Sequence, residues 1–142
     1  MSRIFIGIDP GVSTGYALWE DDKLYVDTGT FWSVVGTLEQ FGRDARPEGT
    51  EIVVVIEDPN LNRPVFPRGV NPAMMLKVAQ NVGANKRDAQ LLIEWAESWE
   101  LEVRRVRPVS KKWDAETFQK ITGYNGRTSQ HARDAAKLVY GL

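Results

Sequence analysis

IGIDPGVSTGYALWE, residues 6–20, is the stretch on which the reading of this chain turns. Residues 4–8 form a short apolar, largely β-branched run of the kind that makes a buried strand. That run delivers a carboxylate, Asp9, and breaks at once into Pro10-Gly11. A charge at the end of a buried strand is costly unless it meets a partner. Asp9 is therefore either a turn residue or one member of a site completed elsewhere in the chain.

A second stretch repeats the pattern. Residues 52–56 are a continuous apolar run, as expected of a strand covered on both faces, and they end in Glu57-Asp58-Pro59. If the two strands are parallel neighbours, Asp9 and Glu57 emerge together at the carboxyl end of a sheet, where open α/β folds place their ligands. The alternative for Glu57 is again a plain turn after a strand.

The rest of the chain supplies the other elements. Residues 16–20 and 24–31 read as strands joined by a hairpin turn at Asp21-Asp22-Lys23. Residues 34–45 carry Val34, Val35, Leu38, Phe41 and Ala45 at helical spacing, and Pro47-Glu48-Gly49 ends them. Residues 60–72 (LNRPVFPRGVNP from 61) read as a basic loop. A long helix is predicted over 73–99, with Met75, Val78, Val82, Ala89, Leu92, Ile93 and Ala96 near one face. A last strand at 101–106 and two short helices at 114–122 and 130–140 follow, with a glycine turn at Tyr124-Asn125-Gly126 between them. Three opening strands, then strand and helix in alternation, define a mixed α/β sheet with helices on both faces.

A length of 142 residues suits one domain with a core that needs no covalent staple. Cysteine is absent, which removes disulfides and thiolate metal sites. With no apolar run long enough for a bilayer and no leader pattern, we expect a soluble, cytoplasmic protein. The net charge of −1 is unlike that of a general nucleic-acid coat. Its distribution is uneven: residues 1–60 hold four Lys/Arg against eleven Asp/Glu, whereas residues 61–112 hold ten against five. A basic stretch on a near-neutral body fits a protein that grips a polyanion on one side.

Near the C-terminus, His131 and Asp134 stand three apart on one helical face, beside an apolar stripe of Ala132, Ala135, Ala136 and Val139. Three carboxylates brought together beside an imidazole would repel one another unless a cation joined them. Mg²⁺ and Mn²⁺ take carboxylate oxygens and keep positions open for phosphate and water. A pair of such ions can activate water and stabilise the leaving oxygen in phosphodiester cleavage. His131 is the only histidine, and a lone histidine also serves as an ordinary surface residue.

GIDPGVSTGYALWE resembles the first motif of the RuvC family of Holliday junction resolvases, whose fold is RNase H-like. VVVIEDP resembles the second strand-end acid of that family, and HARDAAKLVYGL its final acidic helix. The likeness runs in order along essentially the whole chain and is greatest to the phage-type members. It implies a single nuclease domain over residues 1–142, a five-stranded mixed sheet, and a homodimer in the cytoplasm of the host cell. It also implies a metal-dependent, structure-selective endodeoxyribonuclease that resolves four-way DNA junctions by paired nicks and cuts other branched DNA. Asp9, Glu57, His131 and Asp134 become the catalytic set, holding a pair of Mg²⁺ or Mn²⁺ ions. Arg63, Arg68, Lys77, Lys86, Arg87, Arg107, Lys111 and Lys112 become candidates for phosphate contact, with Arg104 and Arg105 beside them. Met74, Leu91, Trp95 and Trp99 on the long helix are the candidate dimer interface.

Two departures from the family pattern stand out. His131 occupies a position often held by aspartate, which removes one negative charge. Leu61-Asn62-Arg63 stands where an aromatic wedge often follows the second acid, the nearest aromatic being Phe66. Other readings are a catalytically idle member that binds branched DNA or a protein, and a nuclease for RNA/DNA hybrids. Actin-like ATPases share a Gly-x-Asp-x-Gly opening, but they need a second, duplicated domain to close on nucleotide.

Overall fold

Two parallel strands at the centre of a sheet organise the molecule. β1 (Arg3–Asp9) pairs with β4 (Glu51–Glu57), with Ile4 opposite Ile52 and Ile8 opposite Ile56. β2 (Ser13–Glu20) and β3 (Lys23–Thr30) extend the sheet antiparallel on one side, and β5 (Glu102–Val106) extends it parallel on the other. The order is β3-β2-β1-β4-β5. The structure, a computed structural model, describes residues 3–45, 49–62, 71–108 and 111–142. Its helices are α1 (Phe31–Ala45), α2 (Pro72–Ser98), α3 (Ala115–Thr122) and α4 (Gln130–Val139), with a 3₁₀ turn at Pro59–Leu61. This is the expected α/β architecture, a five-stranded mixed sheet with helices on both faces in an RNase H-like arrangement. The β2–β3 hairpin turns on Asp21 and Asp22, both at positive φ (49° and 61°), as a two-residue loop of matching twist requires.

Strand alternation sorts the core into two layers. Ile4, Ile6 and Ile8 of β1 and Ile52, Val54 and Ile56 of β4 pack against Val34, Val35 and Leu38 of α1 and Ala89, Leu92, Ile93 and Ala96 of α2. On the other face Phe5, Val53 and Val55 meet Phe118 of α3 and Ala132, Ala135, Ala136 and Val139 of α4.

The structure corrects the reading of two helical segments. Phe31 opens α1 rather than closing β3. Met75, Val78 and Val82, expected on the core face of α2, are exposed, as is every residue from 71 to 84. The reason is length. A helix of 27 residues runs about 40 Å, whereas the seven-residue strand beneath it spans about 23 Å. Helical periodicity alone does not reveal where the supporting sheet stops. Trp95 and Trp99, expected partly off the core face, are half-buried. Trp95 packs on the core and donates its indole N–H to Glu39 Oε1 at 3.0 Å, and Trp99 lies over Gly42 of α1.

Candidate active site

Asp9 and Glu57 close their strands one step beyond the Ile8–Ile56 pair. Both hold odd positions, so both share the α4 face with Phe5, Val53 and Val55. Asp58 is the true turn residue. It is 1% exposed, its Oδ1 accepts from the Asn60 amide at 2.9 Å, and its own N–H donates to the Val106 carbonyl at 2.8 Å. Arg105 pairs with its Oδ2 at 3.6 Å. Strand alternation thus assigns neighbouring carboxylates to opposite faces.

Two glycines bring α4 down onto the acids. A Cβ on Gly7 would stand 2.3 Å from the Ala135 carbonyl oxygen, and one on Gly15 would stand 2.1 Å from that of His131. Only glycine admits helix backbone this close, which is the usual meaning of glycine inside a strand. Gly15 is also the register partner of Asp9, so the contact sets His131 beside that carboxylate. Ser129 caps the helix, its hydroxyl accepting from the Ala132 amide at 3.2 Å.

The resulting electrostatics are strained. Burial pushes the Asp9 carboxyl above its ordinary range, the His131 hydrogen bond and charge draw it back in part, and Asp134 adds to the rise. Glu57 is pushed up to about 7, first by burial and then by the charges of Asp9 and Asp134. His131 Nδ1 lies 2.9 Å from Asp9 Oδ2. With Asp9 ionised, Nδ1 is the donor of this hydrogen bond, which orients the ring as a carboxylate partner does for metal-bound histidines.

Asp134 is 7% exposed and bonded at both oxygens. Oδ1 accepts from Gln130 Nε2 at 2.7 Å, and Oδ2 accepts from Lys112 Nζ at 2.8 Å. Arg133 Nη2 donates to Gln130 Oε1 at 3.1 Å, which fixes the amide with its nitrogen toward the acid. Sequence reading missed both the Gln130–Asp134 pair and the glycine contacts. The i,i+4 spacing of Gln130 and Asp134 and the glycines inside two apolar strands were the available signals.

The four expected residues lie in one electrostatic neighbourhood, yet among the described residues no three His, Asp or Glu side chains stand together closely enough to chelate an ion as they lie. The donor set nevertheless suits a hard divalent cation: Asp9 and Glu57 carboxyls raised first by burial and then by neighbouring acids, a buried Asp134, and an imidazole beside them. A cleft of about 190 Å³ borders Glu57 and Asp134, lined also by Val106, Lys137 and Leu138. A larger one of about 680 Å³, between Trp19, Lys23 and Tyr140, holds Asp22 as its one acid and lacks this chemistry.

The basic residues divide. Lys77, Arg87, Arg107 and Lys111 are exposed, and Lys86 is partly so, its carbonyl accepting from Asn60 Nδ2. Lys112, a candidate for phosphate contact, is half exposed and paired with Asp134. Arg104 lies over the Phe5 ring and pairs with Glu102, and Arg105 pairs with Asp58. Arg63, Arg68 and Phe66 lie outside the described residues. Among the described residues no helix is long and apolar enough to cross a membrane.

The chain matches no protein-family model, no curated protein and no solved structure. The class it defines therefore rests on its own geometry. It is an α/β protein of RNase H-like arrangement, with an acidic cluster at the carboxyl ends of its two central strands.

Proposed function

We propose that the protein is a metal-dependent endonuclease for branched DNA, cutting four-way junctions by paired nicks as its likeness to RuvC resolvases implies. The observation that carries this reading is the arrival of Asp9 and Glu57 on one sheet face, beneath the helix that bears His131 and Asp134. Carboxyls raised by burial and mutual repulsion have no structural use at a strand end, since a neutral residue would cost less. Asp9, Glu57, Asp134 and Nε2 of His131 would hold divalent ions, which when bound supply an activated water and charge stabilisation at the leaving oxygen.

The chain's own residues do the remaining work. Gly7 and Gly15 fix the approach of α4, and Gln130 holds the Asp134 carboxylate in one orientation. Exposed Lys77, Arg87, Arg107 and Lys111 offer charges for backbone phosphates, a role that positions DNA without reading its sequence. A four-way junction has two symmetric scissile phosphates, and a two-fold dimer reaches both. The projecting half of α2, with Met74, Met75, Leu76, Val78 and Val82 exposed, joins half-buried Leu91, Trp95 and Trp99 as the candidate surface for that pairing.

The deciding experiment is nicking of a synthetic four-way junction with Mn²⁺, with Mg²⁺ and with EDTA, beside flaps, forks and RNA/DNA hybrids. Symmetric metal-dependent nicks in the junction are expected. Preferential cutting of hybrids, or no cutting of any substrate, would overturn the reading.

A further inference from the structure

Lys112, a candidate for phosphate contact, is delivered to the acidic site by its neighbours. The segment on either side of it is tied to α4 through its carbonyls. Lys137 Nζ donates to the Lys111 carbonyl at 2.5 Å. Gln130 Nε2 and Arg133 Nε donate to the Trp113 carbonyl at 3.2 and 3.0 Å. Arg133 is itself anchored through Nη1 to the Thr128 carbonyl at 2.8 Å and to its hydroxyl at 3.0 Å. Between these two attachments the Lys112 ammonium reaches Asp134 Oδ2. Its charge also draws the Asp9 and Glu57 carboxyls downward, so the whole acidic set feels it.

The pair is lopsided in burial. The Lys112 side chain is 51% exposed, whereas that of Asp134 is 7% exposed. Separating them would cost the lysine little, because its ammonium can return to water. The cost would fall on Asp134, left as a buried charge beside two other carboxyls. A divalent ion at Asp134 would remove that cost and repel the ammonium.

We propose that Lys112 is the resident cation of the acidic site: it neutralises Asp134 in the metal-free protein, competes with a divalent ion for that carboxylate, and is released when the ion binds. This rests on the metal-dependent reading above. It adds that metal entry and phosphate capture are linked, since a freed ammonium is available to a DNA phosphate. By reciprocity, any phosphate that draws Lys112 away from Asp134 strengthens ion binding there.

The test is Mn²⁺ binding to the full chain, followed by electron paramagnetic resonance without DNA. Lys112→Met should bind Mn²⁺ about threefold to tenfold more tightly than the parent, the range for loss of a half-exposed competing ion pair. Lys112→Arg should stay near the parent. In an Asp134→Asn background Lys112→Met should give no gain. Melting provides a second readout that does not need cleavage. Lys112→Met should melt below the parent in EDTA, and saturating Mn²⁺ should close the gap. Unchanged or weaker Mn²⁺ binding by Lys112→Met, with the parent binding normally, would overturn this inference and leave the nuclease reading standing. Failure of the parent itself to bind Mn²⁺ or Mg²⁺ would overturn both.

Discussion

The two faces of the central strand pair are built from alternate residues of the same segments, yet they answer to different demands. On the α1/α2 side, Ile4, Ile6, Ile8, Ile52, Val54 and Ile56 are large, branched and interlocked. On the α4 side the same strands present Gly7, Asp9 and Glu57 beside Phe5, Val53 and Val55, and the helix answers with three alanines. One face maximises buried apolar area. The other gives up volume at Gly7 and accepts repulsion at Asp9 so that backbone and carboxyls meet at fixed positions. The apolar core and the acidic cluster are thus separated by the parity of a strand position.

That separation can be broken by substitution. On the odd face, Asp9→Asn should lower junction nicking by about 10³-fold or more, a loss of several kcal/mol in metal-dependent stabilisation. Its melting temperature should hold or rise, because a buried charge is removed. Junction binding in Ca²⁺ should be retained. A variant that nicks at a comparable rate would unseat the site assignment. On the even face, Ile6→Ala should show the reverse, losing about 2–5 kcal/mol of stability by denaturant titration while nicking normally well below its melting point.

Gly15→Ala tests the contact that joins the faces to the site. The new methyl group meets helix backbone rather than a yielding side chain, so α4 must shift. We expect about 1–3 kcal/mol of destabilisation together with a loss of activity disproportionate to it. Ordinary activity in the folded variant would show that the approach of α4 is not what aligns the acids.

The smallest effect concerns pH. In the metal-free protein Glu57 holds its proton up to about 7, whereas the unfolded chain loses it near the ordinary glutamate value of 4.5. The native state therefore binds more protons between these values, and its stability falls as pH rises through that window. Solvent screening of a partly exposed group keeps this contribution to about 1–2 kcal/mol. Glu57→Gln should flatten the slope of melting temperature between pH 4.5 and 7. A parent protein already flat there would mean that neither burial nor the neighbouring acids raise the Glu57 carboxyl.

Much of this was legible in the sequence, for a definite reason. Strand ends, the Asp21-Asp22 hairpin and the α4 stripe are local patterns, and each of the five strands was placed to within a few residues. Asp9, Glu57, His131 and Asp134 stood out because two apolar runs end in acids and an i,i+3 pair shares a helical face, and the resemblance to RuvC resolvases singled them out as a set. What stayed hidden depended on distance in three dimensions. The exposure of Met75, Val78 and Val82 follows from the finite length of the sheet, and the contacts of Trp95 and Trp99 with Glu39 and Gly42 from the position of α1. The partner of Lys112 lies 22 residues away across the fold, where no spacing rule reaches.

The projecting start of α2 has one more consequence. Its first turn is set locally, by Asn71 accepting from the Met74 amide at 2.9 Å and by Pro72 behind it, rather than by the sheet. The helix therefore has two clocks. Amide protons near Leu92 and Ile93 should exchange with deuterium only when the core opens, while those between 75 and 84 follow the local helix–coil equilibrium. A single covalent helix thus carries its own internal reference. A partner seated on the first half would slow the fast clock and leave the slow one unchanged.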